Sequence, residues 1–242
     1  MKNQKNNFIT LLAKEIYLNY LISPLGYLFA GLFSIINLWL FFQNFFLINQ
    51  ASLVPLFDLM PFLLLFFIPA ITMNLFAEEK KTRTWEILLT LPTTELEIVL
   101  AKFLSSLTFA LFGLILTSPA AVLAFVLGRP DLGIVLSGYL GAILIAAAYL
   151  SVGLFISSLT NNQIVAFITT IFLLLVNFFS GQQFVLQRLP EVLTTLISKV
   201  SMGYHFQFLI RGQLPLGSLV FYLSWLAIFI WLTVISLKSH DY

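Results

Sequence analysis

Residues 76–92 read FAEEKKTRTWEILLTLP, and this stretch determines how the rest of the chain is arranged. Only 9% of the chain is charged, yet charged side chains crowd into this one stretch. They are Glu78, Glu79, Lys80, Lys81, Arg83 and Glu86. Such charges are costly to place in hydrocarbon. The stretch must therefore lie outside a membrane, between two apolar segments that can enter it.

An apolar ridge accompanies these charges. Trp85, Leu88 and Leu89 are spaced i, i+3 and i+4, which places them on one side of a helix. We therefore predict a helix over residues 78–92 that offers this ridge to a partner protein. The alternative is a solvated loop whose basic residues simply follow the positive-inside rule.

The composition of the whole chain agrees with a membrane protein. The chain has 242 residues, of which 60% are hydrophobic, and its mean hydropathy is +1.00. Soluble globular proteins are about half apolar and a quarter charged. Uncharged runs of about 20 residues recur, whereas the alternating pattern of a membrane barrel is absent. We predict an all-α polytopic membrane protein.

We predict one transmembrane domain over residues 1–242, with six spans. The spans are expected at about 25–47, 55–76, 102–127, 132–157, 164–185 and 216–237. Residues 186–215 are too polar to cross and are expected to form an external segment with an interfacial helix. Basic residues are concentrated on the side of residues 76–92, so both termini are expected in the cytoplasm.

The N-terminal region is predicted to form an amphipathic helix at the membrane surface over residues 6–22. Its apolar residues recur at intervals of three and four, but Glu15 and Asn19 fall on the apolar side. Lys14 and Glu15 also interrupt any signal-peptide core. Further along the chain, Lys102 is expected to snorkel to water at the inner edge of the third span.

Local signals predict several helix boundaries and contacts. Thr94 and Glu97 have capping-box spacing, and kinks are expected at Pro61, Pro69 and Pro119. The fourth span is rich in small residues, which let helices approach closely in lipid, so it is expected to be the most buried. Its packing residues are predicted to be Gly138, Gly141, Ala142, Ala146 and Gly153.

Three polar features allow two interpretations. Asp58 can serve a transport pathway or can reach water at the outer end of the second span. The polar residues of 177–183 can line a path or mark a helix end that emerges among the headgroups. His205 can be a ligand, but a single histidine in an interfacial segment is more often a packed or solvated side chain.

The sequence gives no support for an enzyme. It contains no cysteine and two histidines, which argues against a disulfide framework, a thiol nucleophile and a metal site. It has no G-x-x-x-x-G-K-[ST] phosphate loop, so ATP hydrolysis is not expected of this chain. A net charge of +2 gives no indication of nucleic-acid binding, and no cofactor is predicted.

The chain resembles the permeases of ABC-2 type transporters, and the similarity is closest to the gliding-motility-associated permease family. Residues 76–92 resemble the family pattern F-A-E-E-K-x-x-G-T-x-E-x-L-L-T-L-P, and residues 137–141 and 153–166 add to the similarity, which covers nearly the whole chain. Two positions depart from the pattern. Arg83 replaces a usual glycine, and Trp85 replaces a common aliphatic residue.

The resemblance implies a permease subunit, normally an exporter, in a prokaryotic inner (plasma) membrane. Its partners would be a cytoplasmic ABC ATPase subunit, a second permease copy or paralogue, and membrane lipid. The residues that match the coupling-helix motif are Glu78, Glu79, Thr84, Glu86, Leu88, Leu89 and Pro92. With Lys80, Lys81, Arg83 and Trp85 they form the predicted ATPase-docking surface. The alternative function is a non-transporting membrane scaffold that anchors partner proteins.

Overall fold

The computed structural model describes residues 12–13, 15–16, 24–48, 52–84, 93–128 and 130–238. Within these residues every regular element is a helix, so the predicted all-α fold class is confirmed. The helices are α1 (Pro24–Ile48), α2 (Val54–Thr72), α3 (Ala77–Lys81), α4 (Glu95–Ile115), α5 (Ser118–Leu127), α6 (Leu132–Leu159), α7 (Gln163–Ser180), α8 (Gln183–Leu186), α9 (Glu191–Val200), α10 (Met202–Leu209) and α11 (Leu216–Lys238).

Six of the described segments are long and apolar enough to cross a membrane, which confirms the predicted number. They are Gly26–Gln43, Val54–Lys81, Glu95–Leu127, Leu132–Leu159, Gln163–Ser180 and Leu216–Lys238. The short helix α3 follows α2 at one end of this bundle, and helices α8 to α10 join α7 to α11 at the opposite end. The third span begins at Glu95, earlier than the expected residue 102.

Helix α6 is the centre of the bundle. Its span is 78% buried, against 61% or less for each of the other five, so the prediction that it is the most buried is confirmed. Glycines permit this packing. A Cβ atom on Gly138 would overlap the Phe57 ring of α2, and one on Gly153 would overlap Thr72. On another side of α6, a Cβ atom on Gly141 would lie 2.9 Å from Leu209.

Proline has different effects in the second and third spans. Helix α2 continues through Pro61 and Pro69, whereas the third span is interrupted between Ile115 and Ser118. The interruption lies where Pro119, which has no backbone N–H, occupies the first turn of α5. The Thr117 hydroxyl donates to the Leu114 carbonyl oxygen at 2.6 Å and so satisfies a carbonyl at the break.

The close contact at Gly153 gives a test of the packing. Gly153→Ala is expected to lower the unfolding free energy by about 1–3 kcal/mol, because the added methyl group meets the buried Thr72. Gly31→Ala is the matched control, since a Cβ atom there has nothing within 4 Å. Thermal unfolding in detergent would compare the two. Equal stability of the two variants would contradict the contact.

Candidate functional site

Helix α3 is fixed to the end of α6 by hydrogen bonds at its first turn. The backbone N–H groups of Phe76 and Ala77 donate to the Ser157 hydroxyl oxygen at 3.1 and 3.2 Å. The same hydroxyl donates to the Met73 carbonyl oxygen at 3.3 Å. These amide groups at the start of a helix have no partner within the helix. Ser157 therefore satisfies two of them and determines where α3 begins.

A lysine on α3 adds a second attachment to α6. The Lys80 ammonium group donates a hydrogen bond to the backbone carbonyl oxygen of Ser158. Carbonyl groups in the last turn of a helix lack partners within it, and they carry partial negative charge that attracts a cation. Lys80 thus binds the C-terminal end of α6 and does not extend into solvent as a docking residue would.

Lys102 lies at the centre of a buried charge cluster. Its side chain comes from α4 and is completely buried. The ammonium nitrogen lies 2.6 Å from Oε1 of Glu79 on α3 and 3.3 Å from Oε1 of Glu15 in the N-terminal region. The same nitrogen is 5.2 Å from the centre of the Phe76 ring. One cation therefore connects the N-terminal region, α3 and the third span.

The prediction that Lys102 snorkels to water is wrong, and the reason is electrostatic. Snorkelling is needed only where no counter-charge is available at the depth of the lysine. Here two carboxylates approach the ammonium group and replace its water. The same cluster explains why Glu15 interrupts the apolar side of the N-terminal pattern, because Glu15 is itself buried against Lys102.

The structure divides the predicted docking residues into two groups. Glu79 and Lys80 turn towards the protein, as described above. The side chains of four others are exposed, namely Glu78, Lys81, Arg83 and Thr84. The remaining predicted docking residues lie outside the described residues; they are Trp85, Glu86, Leu88, Leu89 and Pro92. Of the predicted helix 6–22, the structure describes residues 12–13 and 15–16, which are helical.

The prediction of one continuous helix over residues 78–92 is wrong at its start. Helix α3 ends at Lys81, and Arg83 has a φ of 58°. This left-handed conformation is unfavourable for a residue with a Cβ atom and favourable for glycine. The position is the one at which Arg83 departs from the glycine of the family pattern. The glycine of the family pattern is therefore the signal that could have predicted a break in the helix at this position.

The helix after the docking stretch begins as predicted. The Thr94 hydroxyl accepts from the Glu97 N–H at 3.3 Å, and the Glu97 carboxylate accepts from the Thr94 N–H at 2.9 Å. This reciprocal capping box starts α4 at Glu95. It fixes the chain two turns before Lys102, so the lysine is presented to Glu79 from a well-defined helix.

Polar residues at the opposite end of the bundle have mostly structural partners. Asn177 donates to the Val200 carbonyl oxygen at 3.1 Å and accepts from the Met202 N–H at 3.0 Å. His205 stacks on Phe221 at 4.2 Å and contacts the Ser218 hydroxyl at 2.9 Å. These contacts support the packed interpretation of this histidine, and burial lowers its pKa. Asp58 lies near the start of α2, and its side chain is exposed on the surface of the bundle.

Among the residues that the structure describes, no three His, Asp or Glu side chains are grouped to hold a metal ion. The charged groups at the α3 end are instead used to fasten separate segments to one another. A bundle of six apolar spans with a charged helix attached at one end is the architecture of a multi-pass membrane protein.

Comparison with known proteins agrees with this class. A sequence model of the family described as ABC-2 family transporter protein matches residues 43–237. The match covers most of the chain, and the chain belongs to this family. It is therefore the permease component of an ABC transporter. No curated protein matches the chain significantly.

The buried charge cluster gives a second test. Lys102→Met is expected to lower the unfolding free energy by about 3–5 kcal/mol, because it leaves the two carboxylates without their shared cation. Adding Glu15→Gln and Glu79→Gln to this variant should restore most of the loss. Lys81→Met, which removes an exposed charge from α3, is the control. Thermal unfolding in detergent measures all of them, and a stable Lys102→Met variant would contradict the cluster.

The backbone of Arg83 gives a third test. Arg83→Gly is expected to raise the unfolding free energy of the isolated permease by roughly 1 kcal/mol, because glycine adopts a positive φ without a steric penalty. Lys81→Gly, inside α3, should instead destabilise by about 1 kcal/mol. Chemical unfolding in detergent distinguishes them. The positive φ would be contradicted if both glycines destabilised the protein equally.

Proposed function

We propose that the chain is the permease subunit of an ABC exporter and that residues 78–92 bind a separate cytoplasmic ATPase subunit. The observation that carries the proposal is the attachment of α3 to both α4 and α6, with charged side chains left exposed beside it. These attachments would let a force applied to α3 reach both the third and the fourth spans.

The proposed docking surface combines the exposed charges with the apolar ridge. Trp85, Leu88 and Leu89 would fill a groove on the ATPase, since buried aromatic and apolar anchors supply most of the affinity at interfaces. Glu78 and Lys81, which are exposed on α3, would set orientation and association rate. Glu79 and Lys80, which the sequence predicts as docking residues, are proposed instead to hold this surface on the permease.

The same contacts offer a route for movement. A displacement of α3 by the ATPase would be passed to the third span through Glu79 and Lys102, and to the fourth span through Ser157. Salt bridges and hydrogen bonds at the ends of rigid helices are suited to this, because packed helices shift as units. In this proposal Glu15 connects the N-terminal region to the same movement.

The proposed assembly contains two permeases and two ATPases. It would lie in a prokaryotic inner membrane with both permease termini and α3 in the cytoplasm. The subfamily proposed is the gliding-motility-associated one, on the similarity of residues 76–92. The scaffold alternative predicts partner proteins without an ATPase among them, so one experiment separates the two functions.

The test is co-purification of the tagged protein from its native membrane in mild detergent. A P-loop ATPase is expected with the unchanged chain and is expected to be lost from the Trp85→Ala, Glu86→Ala double variant. The matched control is Glu191→Ala with Val192→Ala, which removes one exposed acid and one exposed apolar side chain at the opposite end. The control should retain the ATPase.

The outcomes distinguish three situations. Loss of the ATPase from the docking variant alone supports docking through residues 78–92. Retention of the ATPase by this variant would contradict that docking site while leaving the transporter function in place. A stable preparation that carries partner proteins but no ATPase would contradict the transporter function and favour the scaffold.

A further inference from the structure

A pocket of about 350 Å³ opens at the end of the bundle opposite α3. It lies between α8, α10 and the residues that follow α7 and α10. Its lining is formed by Gly181, Gln182, Gln183, Leu186, Tyr204, Gln207, Phe208 and Arg211. None of these residues belongs to the docking surface or to the force transmission proposed above.

The pocket is built into the fold by a close contact between α7 and α10. A Cβ atom on Gly203 would overlap the Phe178 carbonyl oxygen, and one on Gly181 would overlap the Ser201 hydroxyl. The Ser201 hydroxyl donates to the Asn177 carbonyl oxygen at 2.8 Å. The two hydrogen bonds of the Asn177 side chain, to the backbone of residues 200 and 202, stabilise the same contact between α7 and the start of α10. These contacts hold the end of α7 against the start of α10 beside the pocket.

The lining favours a ligand with an oxyanion. Arg211 is the charged residue of the lining, and its guanidinium group can donate two parallel hydrogen bonds to a phosphate. Three glutamine amides and the Tyr204 hydroxyl add neutral donors. The Asp58 carboxylate is near Gln207 and Arg211 but does not itself line the pocket. Phe208, edge-on to Tyr204 at 5.2 Å, supplies an apolar wall.

The neighbouring helix indicates the depth of the pocket in the membrane. Helix α9 has no buried residue, and Val192, Leu196 and Val200 are 73%, 59% and 54% exposed. An amphipathic helix with its apolar side uncovered typically lies between headgroups and acyl chains. Because α9 is joined to α8 and α10, which line the pocket, we expect the pocket to lie at the level of lipid headgroups.

We propose that this pocket binds a phosphate-bearing headgroup of a phospholipid in the adjacent leaflet, with Arg211 on the phosphate and the glutamine amides on the ester and hydroxyl oxygens. The size agrees, because pockets for small ligands begin at about 300 Å³. A soluble phosphate ester would present the same chemistry. The two sources differ in whether acyl chains are needed for binding.

The experiment measures binding to the purified full-length protein by native mass spectrometry in detergent. The probes are dioctanoyl phosphatidylglycerol, dioctanoylglycerol, which lacks the phosphate, and glycerol 3-phosphate, which lacks the chains. We expect one tightly held phosphatidylglycerol and weak binding of dioctanoylglycerol. Arg211→Gln should weaken phosphatidylglycerol about tenfold or more, since a hydrogen bond to a charged group contributes about 1.5–3 kcal/mol.

Arg188→Gln is the matched control, because Arg188 is an exposed arginine of the same segment that does not line the pocket. It should bind phosphatidylglycerol like the unchanged chain. Gln183→Leu, at an exposed position of the lining, provides a second variant if Arg211→Gln fails to fold, and it should weaken binding severalfold.

The outcomes distinguish phosphate binding at Arg211 from general charge attraction. Loss of phosphatidylglycerol binding in Arg211→Gln but not in Arg188→Gln supports the lipid site. If glycerol 3-phosphate binds as tightly as the lipid, acyl chains are not needed and the ligand of this site is a soluble phosphate ester. Equal losses in the two arginine variants would show general charge attraction and overturn the proposal. Equal binding of dioctanoylglycerol, or unchanged binding in both lining variants, would also overturn it.

Discussion

The charge on Lys102 is held where water does not reach, and the α3 end of the structure depends on it. An isolated ammonium group at that depth would cost several kcal/mol. The carboxylates of Glu15 and Glu79 remove that cost only when the N-terminal region and α3 are both in place. Residues from three separate parts of the chain are therefore needed to keep this charge buried beside the third span.

The membrane body is predictable from the sequence because its signals are local. Twenty-residue apolar runs identify the six crossing helices, and the glycines and alanines of α6 identify the helix that the others surround. Thr94 and Glu97 mark the start of α4 by their spacing alone. Each of these signals is contained within one helix, so no knowledge of its neighbours is needed to interpret it.

The candidate site is less predictable because its contacts join distant parts of the chain. Lys102 and Glu15 are 87 residues apart in sequence, and a lysine near a membrane edge is equally consistent with snorkelling. The sequence did carry indirect signals. Glu15 interrupts an otherwise apolar side of a helix, and only the structure shows that Lys102 is its partner. Arg83 stands where glycine is usual, and only the structure shows its positive φ.

Helix α6 connects the two ends of the molecule. At one end Ser157 accepts the first amides of α3, and towards the other Gly141 packs against Leu209 of α10. The first contact is a pair of hydrogen bonds, and the second sets the backbone of a glycine against a leucine side chain. Helix α6 therefore contacts both the charged helix α3 and α10, which carries Gln207 and Tyr204 of the polar pocket. The small residues that bury α6 are thus also what bring the elements at its two ends into direct contact with it.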